Sequence, residues 1–336
     1  MNFSEILNKI VNGNNLSFDE AKSAMENIMN GTLTPAQIAS LVVALRIKGE
    51  TESEISGFVT AMKNGAIRLP ISFPNAVDTC GTGGDKLNTF NISTAAALVA
   101  AGAGITIAKH GNRSASSKSG SADVLEVLGV NLNASPETEL RALKETGIAF
   151  LFARSHHPAL KHAGPARKEI GIRTVFNLIG PMTNPAGAGI QLMGVFREAD
   201  ILKTANVLKR LGSKRAMVVS GHDGMDEISL SSSTDVAELK NDKITTYKIS
   251  PENFGLKSAP IESLKGGTPE DNAIIILDIF NGAKGAKADI VLLNAGAAIY
   301  LSGKADSIKS GIEIAAEAIS TGEALRKLNQ LIKITK

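Results

Sequence analysis

The sequence predicts an α/β protein in which a small N-terminal all-α domain precedes a larger α/β domain with a central, mostly parallel sheet covered by helices. Apolar residues recur at helical spacing up to about residue 66, and short apolar runs then alternate with helical stretches. The 336 residues, 43% hydrophobic and 21% charged, suffice for two domains and are too apolar for a disordered chain. We expect residues 1–68 to form the helical domain, joined by helices from about 160–185, and residues 74–336 to form the α/β domain.

Capping boxes mark the starts of the N-terminal helices. Ser17, Thr34 and Thr51 are each followed three residues later by Glu or Gln, and glycines at 13, 31, 49 and 65 stand near the expected helix ends. The pattern predicts a bundle of amphipathic helices rather than a solenoid, because the rest of the chain does not continue the spacing.

The change of domain is expected at the segment RLPISFPN, residues 68–75, whose two prolines cannot continue a helix. Short apolar runs at 76–79, 105–108, 149–152, 191–195 and 215–220 predict buried strands, with helices between most of them. Three more helices are expected near the C-terminus, within 268–279, 290–301 and 308–319. Ligands of such sheets bind at the C-terminal ends of the strands.

Composition excludes several classes of protein. Lys plus Arg is 36 and Asp plus Glu is 33, and a formal net charge of +3 is too small for a general nucleic-acid or membrane binder. The single cysteine, Cys80, excludes an internal disulfide framework and fits a cytoplasmic protein. The first ten residues lack the apolar core of a signal peptide, and the uncharged stretch 87–108 favours a buried helix followed by a strand over a membrane span.

A glycine loop, Gly81-Thr82-Gly83-Gly84-Asp85, follows the first predicted strand, and Ser93 and Thr94 then open a helix. Backbone N–H groups of such a loop and of a helix N-terminus bind anions, which favours a phosphate site. A tight turn with a polar N-cap is the alternative, and the local pattern leaves both open. The spacing excludes a Walker loop and a dinucleotide fingerprint.

The second predicted strand runs into KHGNRSASSKSGS, residues 109–121, which holds three cations, several hydroxyls and two glycines. A loop with many donors and no acidic acceptor suits a diphosphate, and a solvated loop is the alternative. Its position beside the glycine loop favours the anion site.

Asp226 and Glu227 follow the strand at 215–220 and offer oxygen ligands to a hard cation such as Mg²⁺. Alone, an acidic pair is more often a solvated turn. Together with two strand-end anion loops, it forms the set that a Mg²⁺-diphosphate substrate needs.

Cationic and histidine side chains follow the third predicted strand. A guanidinium among Arg154, Arg167 and Arg173 is of the kind that clamps a carboxylate, and a histidine of the pair at 156–157 is a candidate to orient or exchange a proton. His156 and His157 are adjacent and should face apart, with no sign of a zinc site. No hydrolase motif is present, and Cys80 is expected to be a buried small residue.

Five blocks in order resemble the anthranilate phosphoribosyltransferase family of tryptophan biosynthesis. They are DTCGTGGD at 78–85, TFNIST at 89–94, KHGNRSASSKSGSADVLEVLG at 109–129, RKEIGIRTVFNLIGPMTNP at 167–185 and GMDE at 224–227. The resemblance covers nearly the whole chain. It implies Mg²⁺-dependent transfer of the phosphoribosyl group from 5-phosphoribosyl 1-diphosphate to the amine of anthranilate, the second step of tryptophan biosynthesis from chorismate.

The resemblance also implies the site. Phosphoribosyl-diphosphate contacts are implied at Gly81, Gly84, Asp85, Thr89, Asn91, Ile92, Ser93, Thr94, Lys109, His110, Gly111, Asn112, Arg113, Ser114, Ala115, Ser116, Ser117 and Ser121. Anthranilate contacts are implied at Gly81, Asn112, Arg167, His110 and His157, and metal ligands at Ser93, Asp226 and Glu227. The substrates are expected between the two domains of a homodimer formed through the helical part, with no nucleic-acid or membrane partner.

Chemistry on the residues agrees with that reaction. Displacement at the ribose anomeric carbon needs no covalent nucleophile. An arylamine is neutral at pH 7, so no essential general base is assigned either. Small departures from the family pattern occur at Met225, Arg154 and Leu160, and none removes a polar contact.

Two rival readings stay open for experiment. One is a pyrimidine nucleoside phosphorylase, whose chains look longer and lack the acidic pair. The other is a nucleic-acid-binding relative, which the intact motifs and the small net charge disfavour.

Overall fold

The N-terminal helices begin where the capping pattern places them. The computed structural model describes residues 2–85, 87–114 and 118–336. Its first helices are α1 (Phe3–Val11), α2 (Phe18–Met29), α3 (Pro35–Lys48) and α4 (Glu52–Asn64). In the three predicted capping boxes, the side chain at the cap and the Glu or Gln three residues later each accept a backbone N–H. A fourth box, Asn2 with Glu5, begins α1 and was not predicted.

The described residues form a seven-stranded sheet, which confirms the predicted fold class. The strands are β1 (Val77–Gly81), β2 (Ile107–Gly111), β3 (Ile148–Phe152), β4 (Ile190–Gly194), β5 (Arg215–Gly221), β6 (Thr234–Lys240) and β7 (Lys243–Ile249). Their order is β3-β2-β1-β4-β5-β6-β7, and β1 to β5 are parallel.

The hairpin of β6 and β7 was not predicted. Both strands are antiparallel to their neighbours, and Asn241 and Asp242 connect them with positive φ of 52° and 60°. Two successive residues with positive φ match the twist of a tight hairpin, and Asn and Asp tolerate that region. The exposed side chains of β7 explain why a search for buried apolar runs passed over it.

Helices cover both faces of the sheet. After β1 come α5 (Ile92–Gly102), α6 (Ser121–Val127), α7 (Pro136–Thr146), α8 (Ala153–His156), α9 (Gly164–Ile170), α10 (Val175–Ile179), α11 (Ile201–Arg210), α12 (Pro269–Phe280), α13 (Ala286–Ser302), α14 (Ile308–Ser320) and α15 (Glu323–Thr335). The uncharged stretch 87–108 forms α5 and enters β2, as predicted. No helix in the described ranges combines the length and apolar character needed to cross a membrane.

Alternating side chains of β5 separate two hydrophobic cores, as expected for a strand covered on both sides. Met217 and Val219 pack in the core that contains α5 and α13. Ala216 and Val218 pack in the core that contains α11 and the N-terminal bundle. Apolar residues of α9 and α10 belong to the bundle core as well.

The strand order creates a crevice beside β1. The chain moves from β1 to β2 and β3 on one side, then returns to β4 on the other side. In open parallel sheets, ligands bind outside the carboxyl ends of the strands at such a switch point. The ends of β1 and β4, at Gly81 and Gly194, therefore locate the candidate site.

Candidate active site

Asp226 lies directly over the ends of β1 and β4. A Cβ added to Gly81 would lie 2.8 Å from Cγ of Asp226, and one added to Gly194 would overlap the Asp226 main chain. Both positions therefore need glycine because the carboxylate approaches the backbone closely. Sequence reasoning selected Gly81 and Asp226, and the structure brings them together.

The glycine loop folds back towards the same carboxylate. Gly83 and Gly84 have φ of 69° and 77°, a region that glycine enters without strain. The Gly83 N–H donates to Oδ2 of Asp226 at 2.6 Å. The loop thus presents backbone donors to the switch point, as the phosphate-loop interpretation requires.

Three carboxyl groups meet here. The carboxyl groups of Asp85 and Asp226 repel each other when both are ionised, and Glu227 accepts the Ser93 N–H at 3.1 Å. Burial, with repulsion from the neighbouring carboxylate, raises the pKa of both Asp226 and Glu227. A bound cation would remove this repulsion.

The residues at this site fit a Mg²⁺ ion that is bound partly by the protein and partly by phosphates of the substrate. No group of three or more His, Cys, Asp or Glu side chains suited to a metal is found among residues 2–85, 87–114 and 118–336. Mg²⁺ is nevertheless commonly bound by one or two carboxylates, with the remaining positions filled by water and substrate phosphates. Asp226 and Glu227, whose ionised forms are disfavoured by burial and proximity, are such a donor set.

The N-terminus of α5 points its first-turn N–H groups at the site. Its N-cap residue, Asn91, makes no capping bond to the helix. The Asn91 amide instead binds Ser119 and accepts from Asn272 Nδ2 at 2.9 Å. A helix start without a side-chain cap attracts anions through its N–H groups and its dipole.

Lys109 reaches from β2 towards β1 and α5. Its buried ammonium donates to the Thr79 carbonyl and, at 3.3 Å, to Oγ of Ser93. Burial lowers the pKa of Lys109, while nearby Asp78 and Glu227 favour the charged form. The cation therefore lies behind the helix start and close to the acidic pair.

A buried network holds the end of β2 in place. Asp78 accepts the His110 N–H at 3.1 Å and the Asn184 amide at 2.8 Å, and the same amide donates to the Ala108 carbonyl. Burial raises the pKa of Asp78 to about 6. The Asp78 side chain on β1 is thereby hydrogen-bonded to β2 both directly and through Asn184.

The loop after β2 differs in one respect from the expectation. Arg113 is not a free cation, because its guanidinium binds Glu126 and Asp123 at 2.7–2.9 Å. Asp123 also accepts the N–H groups of Ser114 and Gly120 and so closes the base of the loop. The loop itself holds no acidic residue, but α6 supplies acidic acceptors to it. Ala115, Ser116 and Ser117 lie outside the described residues.

Two neutral histidines, His110 and His157, lie close together at the start of this loop. The rings of His110 and His157 lie 5.3 Å apart between centroids. His157 Nε2 donates to the Thr183 carbonyl at 3.1 Å. Burial lowers the pKa of His157 to about 4 and lowers that of His110 well below its usual value. Nδ1 of His157 and Nε2 of His110 are buried and have no partner in the described part of the chain.

Arg167 offers a guanidinium without a carboxylate partner. It lies on α9, with its guanidinium carbon 5.1 Å from the ring centroid of Phe176. No described carboxylate lies within 4 Å of it, and partial burial lowers its pKa. Such a group is suited to bind a carboxylate of a ligand.

Cys80 is buried, as predicted. Its sulfur accepts from Nε2 of Gln191 at 3.1 Å, and burial raises its pKa well above the usual value. The thiol is therefore neutral and unreactive at pH 7.

Comparison with known proteins places the chain in a family. A model of the glycosyl transferase family helical bundle domain matches residues 4–66, and one of the glycosyl transferase family a/b domain matches residues 73–325. The anthranilate phosphoribosyltransferase of Petrotoga mobilis is 50% identical over 99% of this chain and 97% of its own length. That of Brevibacillus brevis is 52% identical over 97% and 95%. The chain belongs to the anthranilate phosphoribosyltransferase family.

Solved structures of family members have the same fold. Anthranilate phosphoribosyltransferase from Thermus thermophilus has a TM-score of 0.93 at 44% identity, covering 98% of this chain and 99% of that one. The enzyme from Saccharomyces cerevisiae in complex with PRPP and Mg has a TM-score of 0.91 at 28% identity, covering 99% and 97%.

Sequence reasoning did not find the contacts of several residues around the family motifs. Arg173 stacks on Phe196 at 3.7 Å, and its guanidinium occupies the space that a side chain at Gly84 would need. Asn184 ties Asp78 to β2, as described above. Both lie within the block 167–185 that was quoted for its resemblance, but only the fold shows what they touch. Asp123, three residues after Gly120, had the spacing of a helix-start carboxylate and was detectable.

Proposed function

We propose that this chain transfers the phosphoribosyl group from 5-phosphoribosyl 1-diphosphate to the amine of anthranilate, giving N-(5-phosphoribosyl)anthranilate and diphosphate. The observation that carries the proposal is the position of Asp226 and Glu227. They accept N–H groups from the glycine loop and from the start of α5, at the switch point of the sheet. A metal-bound diphosphate needs cation ligands and anion donors at one place.

Ser93, Asp226 and Glu227 would hold Mg²⁺. Bound there, the ion would neutralise charge that develops on the leaving diphosphate. The chain's own contribution is to provide carboxylate oxygens as ligands. Because these carboxylates are buried, their ionised forms are unfavourable unless a cation is bound beside them.

The diphosphate and ribose are assigned to residues at the ends of β1 and β2 and the start of α5. Backbone N–H groups of the glycine loop and α5, with Lys109 behind them, supply positive potential. The assigned contacts are Gly81, Gly84, Asp85, Thr89, Asn91, Ile92, Ser93, Thr94, Lys109, His110, Gly111, Asn112, Arg113, Ser114, Ala115, Ser116, Ser117 and Ser121. For Arg113, contact with the substrate requires exchange of its bonds to Glu126 and Asp123.

Anthranilate is assigned to Arg167, Asn112, Gly81 and the two histidines. Arg167 binds the carboxylate. The unpartnered nitrogens of His110 and His157 are acceptors in the neutral tautomers. The Thr183 carbonyl fixes the proton of His157 on Nε2, and a backbone hydrogen bond with Gly180 fixes that of His110 on its other ring nitrogen. An arylamine has two N–H donors, so the amine and the histidine pair are complementary.

The reaction is a displacement at the anomeric carbon. The amine nitrogen forms a bond to that carbon while the bond to the diphosphate oxygen breaks, and the amine then loses one proton to solvent. Positive charge grows on the sugar and negative charge on the diphosphate. Placing cations and N–H donors at the diphosphate end, and neutral histidines at the amine end, favours both changes.

We further propose a division into residues 1–68 and 74–336, with α9 and α10 joined to the first unit and the substrates between the two.

We also propose that the protein forms a homodimer through the helical unit and acts in the cytoplasm. Exposed Val11 and Ile47, 68% and 82% accessible on α1 and α3, support that surface. An Ile47→Asp variant should shift the mass in light scattering from dimer to monomer.

Loss of anthranilate fluorescence tests the reaction. The loss should require anthranilate, phosphoribosyl diphosphate and Mg²⁺ together, stop with EDTA, and disappear in the Asp226→Ala, Glu227→Ala double variant. Phosphorolysis of a pyrimidine nucleoside in place of this reaction would contradict the proposal.

A further inference from the structure

His156 joins three separate parts of the chain. Its Nδ1 lies 2.6 Å from the Ile67 carbonyl, its Nε2 lies 2.9 Å from Oε2 of Glu139, and its own carbonyl accepts the Ile67 N–H at 2.8 Å. His156 and Glu139 are 1% and 2% exposed. Glu139 and Ile67 lie outside the sequence motifs of the site.

The partners fix the protons of this ring. A carbonyl oxygen accepts only, so Nδ1 carries a proton. Nε2 is hydrogen-bonded to Oε1 of Glu139 at 3.1 Å, and Oε2 has no hydrogen-bond donor in the described residues, so one further proton lies between Nε2 and the carboxylate. The pair is therefore satisfied as an imidazolium with a carboxylate, and loss of that proton leaves a buried negative charge facing a lone pair.

The three connected parts matter for the proposed acceptor pocket. Ile67 lies in the connection between α4 and β1, Glu139 lies in the first turn of α7, and His156 ends α8 immediately before His157. His157 then directs Nε2 to Thr183 and leaves Nδ1 free in the pocket. With both ring nitrogens of His156 held, the next residue has little freedom to rotate.

We propose that His156 is a positioning residue for the acceptor amine: clamped between Ile67 and Glu139, it fixes the connection between bundle and sheet and holds His157 in place for the arylamine. This inference rests on the proposed function for its kinetic readout only. The clamp itself is a property of the fold and is measurable without substrate.

A dependence on pH follows from the shared proton. The charged and titratable groups around His156 are Glu139, with Glu137 beside it on α7, and the neighbouring His157 and His110. The bond to Glu139 raises the pKa of His156 despite its burial. Below that pKa the clamp is complete, and it opens as the pH rises through it.

Two substitutions separate geometry from charge. His156→Ala removes both ring contacts. Glu139→Gln keeps them with a neutral ring, since Nδ1–H still donates to Ile67 and Nε2 accepts an amide N–H. His162→Ala, an exposed histidine six residues further on, is the matched control.

Steady-state kinetics and hydrogen exchange give the readouts. We expect His156→Ala to raise the anthranilate KM by about tenfold or more, with the KM for phosphoribosyl diphosphate within about twofold. In wild type the anthranilate KM should rise as the pH increases above the usual histidine pKa of about 6.5, and in Glu139→Gln it should stay flat. The Ile67 amide should exchange faster in His156→Ala, with or without substrate.

Other results would overturn the inference. An equal loss for both substrates in His156→Ala, or identical pH profiles for wild type and Glu139→Gln, would mean that His156 is merely structural. If His156→Ala does not fold, the Glu139→Gln profile decides. If wild type shows no transferase activity, the proposed function fails, and unchanged exchange at Ile67 in a folded His156 variant would separately refute the clamp.

Discussion

Substitution of Gly81 by Ala tests whether the position of Asp226 controls the reaction. The added methyl would lie 2.8 Å from Cγ of Asp226, against about 3.5–4.0 Å for an ordinary carbon–carbon contact. The carboxylate must therefore move by about 1 Å. A shift of that size lengthens the 2.6 Å bond from the Gly83 N–H to beyond about 3.5 Å, where it no longer counts as a hydrogen bond.

The two consequences differ in size. Loss of one hydrogen bond to a carboxylate costs about 1.5–3 kcal/mol, so we expect the protein to fold. A displacement of about 1 Å in a catalytic group reduces the rate by about 100-fold, so kcat/KM should fall by that factor. Fluorescence loss of anthranilate at saturating Mg²⁺, with urea unfolding in parallel, separates the two.

The control is Gly164→Ala on α9, where an added Cβ meets nothing within 4 Å and φ is −55°. It should leave the activity within about twofold and increase stability slightly. Activity of Gly81→Ala within about threefold of wild type would refute the reasoning, because the carboxylate position would then not limit the rate.

Three further outcomes are expected. Arg167→Ala should raise the anthranilate KM strongly and affect phosphoribosyl diphosphate less, and equal losses in steady-state kinetics would exclude the carboxylate-binding role. The Asp226→Asn, Glu227→Gln double variant should melt at a higher temperature than wild type without metal and gain nothing from Mg²⁺ with diphosphate, because it lacks both the buried repulsion and the ligands. Burial lowers the pKa of His157 to about 4 from 6.5, so its contribution to stability is present above about pH 6.5 and is lost as the pH falls towards about 4. Over that range, the free energy of unfolding measured in urea should decrease by up to about 3 kcal/mol more in wild type than in His157→Gln.

Local patterns predicted the parts of the site that depend on neighbouring residues in the chain. A glycine loop after a strand, hydroxyls at a helix start and an acidic pair after β5 are all visible within a few residues. The rule that parallel strands bring their carboxyl ends to one edge was enough to gather them. For the same reason, α2, α3 and α4 were predicted from their own capping residues.

Contacts between distant residues were beyond that reasoning. Gly83 and Asp226 are 143 positions apart, and Asn184 and Asp78 are 106 apart. Neither partner carries a local signal for the other. The pairing of Arg113 with Glu126 shows the consequence: the loop has the composition of an anion site, and only the fold shows that α6 neutralises its arginine.

The two ends of the site need opposite electrostatics, and burial provides both. At the diphosphate end, burial makes the Asp226 and Glu227 charges costly until a cation joins them, which favours arrival of the metal with its anionic ligand. At the amine end, burial keeps His110 and His157 uncharged. A protonated ring there would donate where the amine needs an acceptor, and its charge would oppose the positive charge growing on the sugar. Activity should therefore fall with protonation of His157 near pH 4, in addition to any loss of stability, and at pH values where the protein is still folded His157→Gln should be less sensitive to acid than wild type.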